Sequence, residues 1–335
     1  MKSPFTNGNA RLQRESRKLE FRKDQFEIMY HYYVCEDTGE QFTDEATDTL
    51  NINQVHHKYR EKYGIPFIDE IKEIRLKYGL PANKMSEVLG LGVNVYRNYE
   101  AGEMPSVATG RLIRLAEDPR EFRKLLEMSR NVFEPADYER FRENIDKASD
   151  GWAVVEQMWK GSLVGNNTPN IHNGYRMPDL QRIGNMVRYF ALNNNPFTTA
   201  MNKLMFYADF GHYKKYGQSI SGVYYKALPK GPVPENYGAI YNHVVNSGFA
   251  RIEEKDFGDF VGERFVCEAR TVFEPEEGLF TAYELETIIM VSEKFKGLTT
   301  KKIVDISHQE PGWQVNADEQ NRISFEYGFS LKNID

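Results

Sequence analysis

Side chains of the types that hydrolytic and metal enzymes use recur in the C-terminal half of the chain. Asp209 and His212 lie close together in the sequence, and Ser307, His308 and Glu310 follow much later. A general base must lie within hydrogen-bond reach of its partner, and the sequence does not bring such distant residues together. Residues of this kind more often tie a helix to a loop, so we do not expect an enzyme.

The composition describes a globular chain with few cysteines. At 335 residues it is long enough for two or three domains. Cys35 and Cys267 are too few for a disulfide framework or a four-thiolate metal site, and they suit a reducing cytoplasm. No apolar run approaches the roughly 18 residues of a membrane span, and the N-terminus does not resemble a signal peptide. We therefore expect a cytoplasmic protein that has no membrane partner, cofactor or bound metal.

The net charge is distributed unevenly along the chain. The full value of −6 resides in residues 131–335, whereas residues 61–130 are nearly neutral. Any nucleic-acid surface must therefore be local.

Hydrophobic periodicity divides the chain into three parts and predicts a multi-domain α+β protein. Apolar residues alternate with polar ones over residues 17–34, which predicts antiparallel strands. Between Pro66 and about Arg130 the period becomes helical, with glycines and prolines separating five short helices. The rest is mainly helical, and three segments favour strands: Ser219–Tyr225, Phe249–Glu253 and Phe260–Phe273.

The second and third of the five helices carry a motif. The segment from Ile74 to Gly102 is similar along its length to the XRE-type helix-turn-helix, with Ser86 at the helix crossing, Gly90 in the turn and Leu91 at the corner. Ala82 and Gly92 stand where that family often has a Gln, Ser or Thr. The resemblance implies that residues 63–130 bind DNA, as a homodimer on a palindromic operator.

The motif also suggests which side chains contact DNA. Asn suits adenine, Arg suits guanine, and a Val methyl suits the methyl group of thymine. The first residues of the second motif helix would read bases: Val93, Asn94, Arg97 and Asn98. Cations around the motif would contact phosphates: Arg75, Lys77, Lys84 and Arg111.

The N-terminal part, residues 1–62, resembles the zinc ribbon of MqsA-type (YgiT-like) antitoxins, in which two cysteine pairs flank a β-hairpin. Here Ser3, Thr6 and Thr38 replace three of the four cysteines, and Cys35 alone remains. One thiolate cannot hold a structural zinc ion. His31, His56 and His57 do not reproduce the ligand spacing either. We expect a ribbon-like hairpin that is held by its apolar side chains.

The C-terminal part, residues 131–335, resembles the Panacea (SocA-like) domain. The helix Phe197–Tyr213 contains a Lys-Leu-x-Phe-Tyr-x-Asp pattern, the segment Gly231–Pro234 reads Gly-Pro-Val-Pro, and Ser307-His308 precedes Trp313. Panacea domains occur in antitoxins, so the resemblance implies a helical domain with a small sheet that binds a toxin. The residues that we expect to contact the toxin are Lys203, Tyr207, Asp209, Tyr224, Tyr225, Tyr237, Tyr241 and His308.

Taken together, these features predict the antitoxin of a type II toxin–antitoxin system. It would bind its co-encoded toxin through the Panacea domain and repress its own operon through the helix-turn-helix. The alternative is a transcriptional regulator whose C-terminal domain senses a ligand or serves as a protease adaptor.

Overall fold

The computed structural model describes residues 1–165, 168–259, 261–268 and 272–334, and of residues 151–154, 156 and 157 it describes the backbone alone. The chain forms two compact units, Met1–Ser162 and Leu163–Asp335. Their described parts combine helices with small antiparallel sheets, which confirms the predicted α+β class. Among the described residues, no helix is both long and apolar enough to cross a membrane.

The first unit begins with a long hairpin of β1 (Ala10–Phe21) and β2 (Asp24–Cys35), and β3 (Gln41–Phe42) pairs with the end of β2. The hairpin turn is Arg22-Lys23, whose φ angles are 49° and 72°. Two positive φ angles suit the right-handed twist of a two-residue hairpin but strain residues other than glycine. The Arg22 guanidinium donates to the carbonyls of Met104 (2.9 Å) and Pro105 (2.8 Å), which fixes the turn in place.

Helix α1 (Glu45–Tyr63) covers the side of β2 that β3 leaves open. The Asn51 amide accepts from the backbone N–H of His31 at 2.8 Å and donates to its carbonyl at 2.9 Å. Gln54 does the same for Met29, at 3.1 and 2.9 Å. The two amides satisfy backbone groups that an exposed strand edge would offer to another chain.

The apolar side chains of the hairpin pack together with side chains of α1. Phe26, Ile28, Val55 and Tyr59 are buried together, with Leu19, Phe21 and Tyr30 packed against them.

Five short helices follow, as predicted: α2 (Ile68–Lys77), α3 (Ala82–Val88), α4 (Val95–Glu100), α5 (Val107–Leu115) and α6 (Pro119–Met128). Their core includes Ile71, Tyr78, Met85, Tyr96 and Phe122. Helix α7 (Pro135–Ala148) adds Tyr138, Phe141 and Ile145 to this same core. The helical region therefore extends past the predicted boundary at residue 130. Helix α8 (Gly151–Val164) comes next.

The second unit is arranged around one central helix. Helix α10 (Thr198–Tyr216) is buried from Ala200 to Tyr213, and neighbours pack on every side of it. Helix α10 has no polar face, which is typical of a helix that is surrounded by other elements of its domain. The other elements are α9 (Leu180–Asn194), β4 (Tyr225–Leu228), β5 (Gly231–Pro234), α11 (Tyr237–Asn246), β6 (Arg251–Asp256), β7 (Val261–Val266), α12 (Ala282–Phe295), α13 (Thr300–Ser307) and α14 (Pro311–Asn316).

The strand predictions in this unit need correction. The segment 219–224 is a loop, and the strand begins only at Tyr225, because Asp209 accepts the backbone N–H groups of Ile220 and Ser221. The second predicted strand lies two residues further along, as β6, and pairs with β7. In the third, residue 260 and residues 269–271 lie outside the described part of the chain.

Candidate functional site

The helix pair α3 and α4 forms the sharp turn that the sequence indicated. Gly90 adopts a φ of 66°, a conformation that glycine reaches without strain. The Ser86 hydroxyl is fully buried and accepts the backbone N–H of Tyr96 at 3.0 Å, and the Tyr96 hydroxyl donates to the Ile71 carbonyl at 2.7 Å. These bonds fix the direction of α4 relative to α2 and α3.

All four residues predicted to read bases lie at the solvent-exposed start of this second helix. Val93 is 62% exposed, and Asn94, Arg97 and Asn98 are also exposed. The regular helix starts at Val95, so Asn94, and not Gly92, occupies the N-cap position. An exposed row of an apolar, two amide and one guanidinium side chain is chemically suited to the major groove.

The cations predicted to contact phosphates differ in their surroundings. Arg75 is bound to Glu100 at 2.6 Å and to the Leu80 carbonyl at 2.8 Å, and its side chain is only 15% exposed. It therefore stabilises the helix packing and is a poor phosphate ligand. Lys84 pairs with Glu87 at 2.9 Å and Lys77 donates to the Glu117 carbonyl, whereas Arg111 is exposed on α5.

The ribbon-like part brings together the four positions that the sequence comparison singled out. Ser3 is 1% exposed and Cys35 is 1% exposed, and the Thr6 hydroxyl lies 3.6 Å from the Cys35 sulfur. Hydrogen bonding with the side chains of Ser3, Thr38 and Thr6 lowers the pKa of Cys35 to about 6. The Thr6 hydroxyl also donates to Asp37 at 2.5 Å, and the Thr38 hydroxyl donates to Glu40 at 3.1 Å. Within the described residues, no group of three or more His, Cys, Asp or Glu side chains is placed to hold a metal ion.

In the second unit, Asp209 is a fully buried junction. Its carboxylate accepts from the backbone of Ile220 (2.8 Å) and Ser221 (2.7 Å), and from the hydroxyls of Ser221 (2.5 Å) and Tyr225 (2.6 Å). Burial raises its pKa, although these bonds act in the opposite direction. With its acceptor sites filled, Asp209 ties α10 to the loop that leads into β4.

A second buried carboxylate, Glu310, contacts the same helix at Tyr207, two residues before Asp209 and on nearly the opposite side of the helix. It accepts the Tyr207 hydroxyl at 3.0 Å, the backbone N–H of Lys332 at 2.8 Å, and both the backbone and side-chain amides of Asn333. It is 1% exposed. Glu310 thus connects α10 with the last residues of the chain.

Lys203 contrasts with these satisfied groups. It is 0% exposed, and its Nζ has no hydrogen-bond partner among the described residues. Burial lowers its pKa to about 7, and the charge of Lys230 acts in the same direction. The Nε2 atom of His308 is likewise buried without a hydrogen-bond partner in this part of the chain, and its ring stacks on Trp313 with a centroid distance of 3.9 Å.

The predicted toxin contacts need correction, because most of them are internal. Six are less than a tenth exposed and therefore form no surface: Lys203, Tyr207, Asp209, Tyr224, Tyr225 and Tyr241. The Tyr241 hydroxyl, for example, donates to Asn202 at 2.8 Å inside the domain. Tyr237 and His308 are partly exposed. The pattern of the helix therefore reflects packing around α10.

Sequence reasoning named Lys203 but gave no reason to expect it to lack a counter-ion. It also missed the buried pair of Arg176 and Glu284, which lie 2.8 Å apart, with Arg182 2.9 Å from the same carboxylate. Glu284 lies far from both arginines in the sequence, and only the packing of α9 and the segment before it against α12 brings the three residues together.

Comparison with known proteins places one part of the chain. Neither curated proteins nor solved structures gave a match. One protein-family model, described as "Antitoxin SocA-like, Panacea domain", matches residues 201–314. The matched segment runs from α10 to α14 and contains Asp209, Lys203 and Glu310. Residues 201–314 are therefore a Panacea domain of the antitoxin SocA-like family.

Proposed function

We propose that the protein is the antitoxin of a type II toxin–antitoxin system and neutralises a co-encoded toxin by direct binding through its Panacea domain. The observation that carries this proposal is the match of residues 201–314 to the SocA-like antitoxin family. The negative charge of the C-terminal part favours a basic toxin surface. On this proposal the protein acts in the cytoplasm.

Co-expression tests the toxin-binding half. The product of the adjacent gene should stop growth when it is expressed alone, and the full chain should restore growth and co-purify with that product. The control is a chain that carries Asp209→Ala, which loses the hydrogen bonds between α10 and the loop before β4. Its Panacea domain should not fold, so this chain should neither restore growth nor bind the product. A harmless neighbour, or rescue without binding, would contradict the proposal.

We further propose that residues 63–130 bind operator DNA as a homodimer and repress the operon. Support comes from the helix pair α3 and α4 and from the exposed side chains at the start of α4. The N-terminal hairpin, with Ser3, Thr6, Cys35 and Thr38 together, supports a relation to the MqsA-type antitoxins.

A matched pair of arginine variants tests DNA binding. Arg97→Ala should weaken operator binding by about 1–3 kcal/mol and relax specificity at one base pair, if this side chain reads a guanine. Arg120→Ala removes an arginine whose side chain is 85% exposed on α6, outside the motif, and should leave binding unchanged. Equal affinities of the two variants in a band-shift titration would remove Arg97 from the interface.

One observation favours the alternative of a ligand-sensing regulator. The buried Lys203 amine lacks a hydrogen-bond partner among the described residues, as a ligand site does before it is filled. The regulator predicts operator binding that depends on a small molecule, with no toxin partner. Asp209, which could serve as a catalytic carboxylate, is fully engaged in the packing of the domain, and we propose no enzymatic activity.

A further inference from the structure

Two buried polar atoms without hydrogen-bond partners lie in one cluster beneath the turn between β4 and β5. They are Nζ of Lys203 and Nε2 of His308, as far as the described residues extend. A Cβ atom at Gly231 would lie 3.2 Å from Nζ of Lys203 and 2.5 Å from the hydroxyl of Ser307, the residue before His308, which places Lys203 beside the end of α13. Burial lowers the pKa of His308, and the charge of Lys203 acts in the same direction. Buried polar groups are almost always hydrogen-bonded, so a pair of such atoms in one place points to a missing group.

Within the described part of the chain, the elements around Lys203 supply no negative charge to it. From the β4–β5 turn comes Lys230, whose charge lowers the pKa of the amine further. From the end of α13 come Ser307, whose hydroxyl donates to the Val304 carbonyl at 2.8 Å, and His308. The exposed Asp305 carboxylate and the backbone of Pro229 both raise the pKa of His308, against the effects of burial and Lys203. The nearby Glu310 carboxylate already accepts from Tyr207 and Asn333.

The turn is built to bring the backbone close to the amine. Gly231 has a φ of 98°, and a Cβ atom there would lie 2.6 Å from Cε and 3.2 Å from Nζ of Lys203, and 2.5 Å from the Ser307 hydroxyl. Only glycine fits such a position. Pro229 and Lys230 next to it are exposed, so the cluster lies directly beneath the surface.

A buried, unpaired amine costs stability, and structures that keep such a group tend to use it. We propose that Lys203, together with His308, is the receptor for a single carboxylate group that enters beneath the Pro229–Lys230 turn. The carboxylate oxygens accept from the Lys203 ammonium and from the Nε2–H group of the His308 ring. A carboxylate supplies the negative charge that the cluster lacks, and charge-assisted bonds of this kind are the stronger ones.

The carboxylate has two possible sources with the same chemistry: a small free acid, or an acidic side chain or C-terminus of a partner protein. The second source rests on the function proposed above, and the first does not. Both make the same change at Lys203, because a negative charge within a few ångströms favours the protonated amine.

The test observes Lys203 in the full-length protein by NMR, with lysine labelled with ¹³C at Cε. The Lys203 signal is identified by its loss in Lys203→Met or, if that variant does not fold, in Lys203→Arg. Without a carboxylate the signal should titrate near pH 7, and formate or acetate at constant ionic strength should raise the midpoint by about one pH unit or more. The exposed Lys301 and Lys302 report nonspecific salt effects in the same spectra.

The two sources give different results. A shift with formate or acetate supports a small-acid site, even if the adjacent gene proves harmless and the proposed function fails. A shift only on addition of the adjacent gene's product supports a partner carboxylate. A midpoint at the ordinary lysine value overturns the proposal. A midpoint near 7 that neither addition changes also overturns it, because the amine then binds no carboxylate.

Discussion

At the scale of single residues, Lys203 should control how the stability of the second unit depends on pH. Its pKa is about 7 in the folded chain, against an ordinary value of about 10.4. Between these two pH values the unfolded chain holds a proton that the folded chain lacks, so the free energy of unfolding rises with pH. Below pH 7 both states hold the proton and this contribution is constant.

Lys203→Met should therefore be more stable than the unmodified chain at pH 7, by on the order of a few kcal/mol, and the difference should shrink towards pH 10. Urea unfolding at a series of pH values measures it. Lys301→Met, at an exposed position on α13, is the matched control and should leave the pH dependence unchanged. Parallel stability curves for the unmodified chain and Lys203→Met would show that the amine is solvated.

Cys35 leads to a second prediction at this scale. In a tetrahedral zinc site with Zn–S bonds of about 2.3 Å, the sulfur atoms lie about 3.8 Å apart. The Thr6 hydroxyl is 3.6 Å from the Cys35 sulfur, and the Ser3 and Thr38 hydroxyls also bind this sulfur. The combined variant Ser3→Cys, Thr6→Cys, Thr38→Cys should therefore bind one zinc ion per chain.

Metal analysis after dialysis measures this zinc, and cobalt substitution should give the absorption bands of a tetrahedral thiolate site. The matching triple alanine variant should bind none. If the cysteine variant stays free of metal, the three hydroxyls do not occupy ligand positions, and the relation to a zinc ribbon loses its main support.

At the scale of elements, Ser86 joins the two motif helices. Ser86→Ala would leave the buried N–H of Tyr96 without its acceptor, which costs about 1–3 kcal/mol. The variant should unfold at lower urea in the transition of the first unit, and its operator affinity should fall because α4 loses a fixed direction. Ser149→Ala, at the exposed C-cap of α7 whose hydroxyl donates to the Ile145 carbonyl, should change neither quantity. Equal stabilities would mean that Leu91 and the apolar core alone hold the crossing.

The elements also show what sequence patterns can and cannot reveal. The helices of residues 66–130 were predictable because Ile71, Ile74 and Tyr78 repeat at the helical period and all become buried. The loop at 219–224 resembles a strand in sequence because Ile220, Val223 and Tyr224 are residue types that buried strands favour. These side chains are indeed buried. There, Asp209 takes the backbone N–H groups that a strand would need. Side-chain capture of a distant backbone leaves no periodic signal in the sequence.

The candidate site was predictable only in part for the same reason. The exposed start of α4 follows from the position of the motif on amphipathic helices. The burial of Lys203 and Tyr207 does not, because α10 is covered on all sides and carries no polar face from which to read an orientation. Whether a polar residue of such a motif binds a partner or supports the core depends on tertiary packing.

At the scale of the whole molecule, the chain combines two compact units with different chemistry. The first unit exposes polar side chains at the start of α4, whereas the second unit buries Lys203, Asp209 and Glu310. The family match ends at residue 314, but the second unit does not. Phe325 stacks on Phe210 at a centroid distance of 4.1 Å, and the Ile323 N–H donates to the Tyr225 carbonyl. The C-terminal segment is thus part of the domain core.

Deletion of residues 323–335 should therefore unfold the second unit. Buried apolar side chains in this segment each contribute about 1.5–3 kcal/mol, and together they rival the roughly 5–15 kcal/mol by which a domain is stable. The deleted residues with apolar side chains are Ile323, Phe325, Phe329, Leu331 and Ile334. Glu310 would also lose the amide donors of Lys332 and Asn333 while remaining inside the protein.

Differential scanning calorimetry of the truncated chain should show the transition of the first unit alone, and operator binding should persist. A chain that lacks only Asp335 is the control and should keep both transitions, because Ile334, the last buried residue described, is retained. If the truncated chain keeps two transitions and still binds its partner, residues 201–314 fold without the C-terminal segment. In that case the contacts of Glu310 with Lys332 and Asn333 stabilise the end of the chain and not the domain.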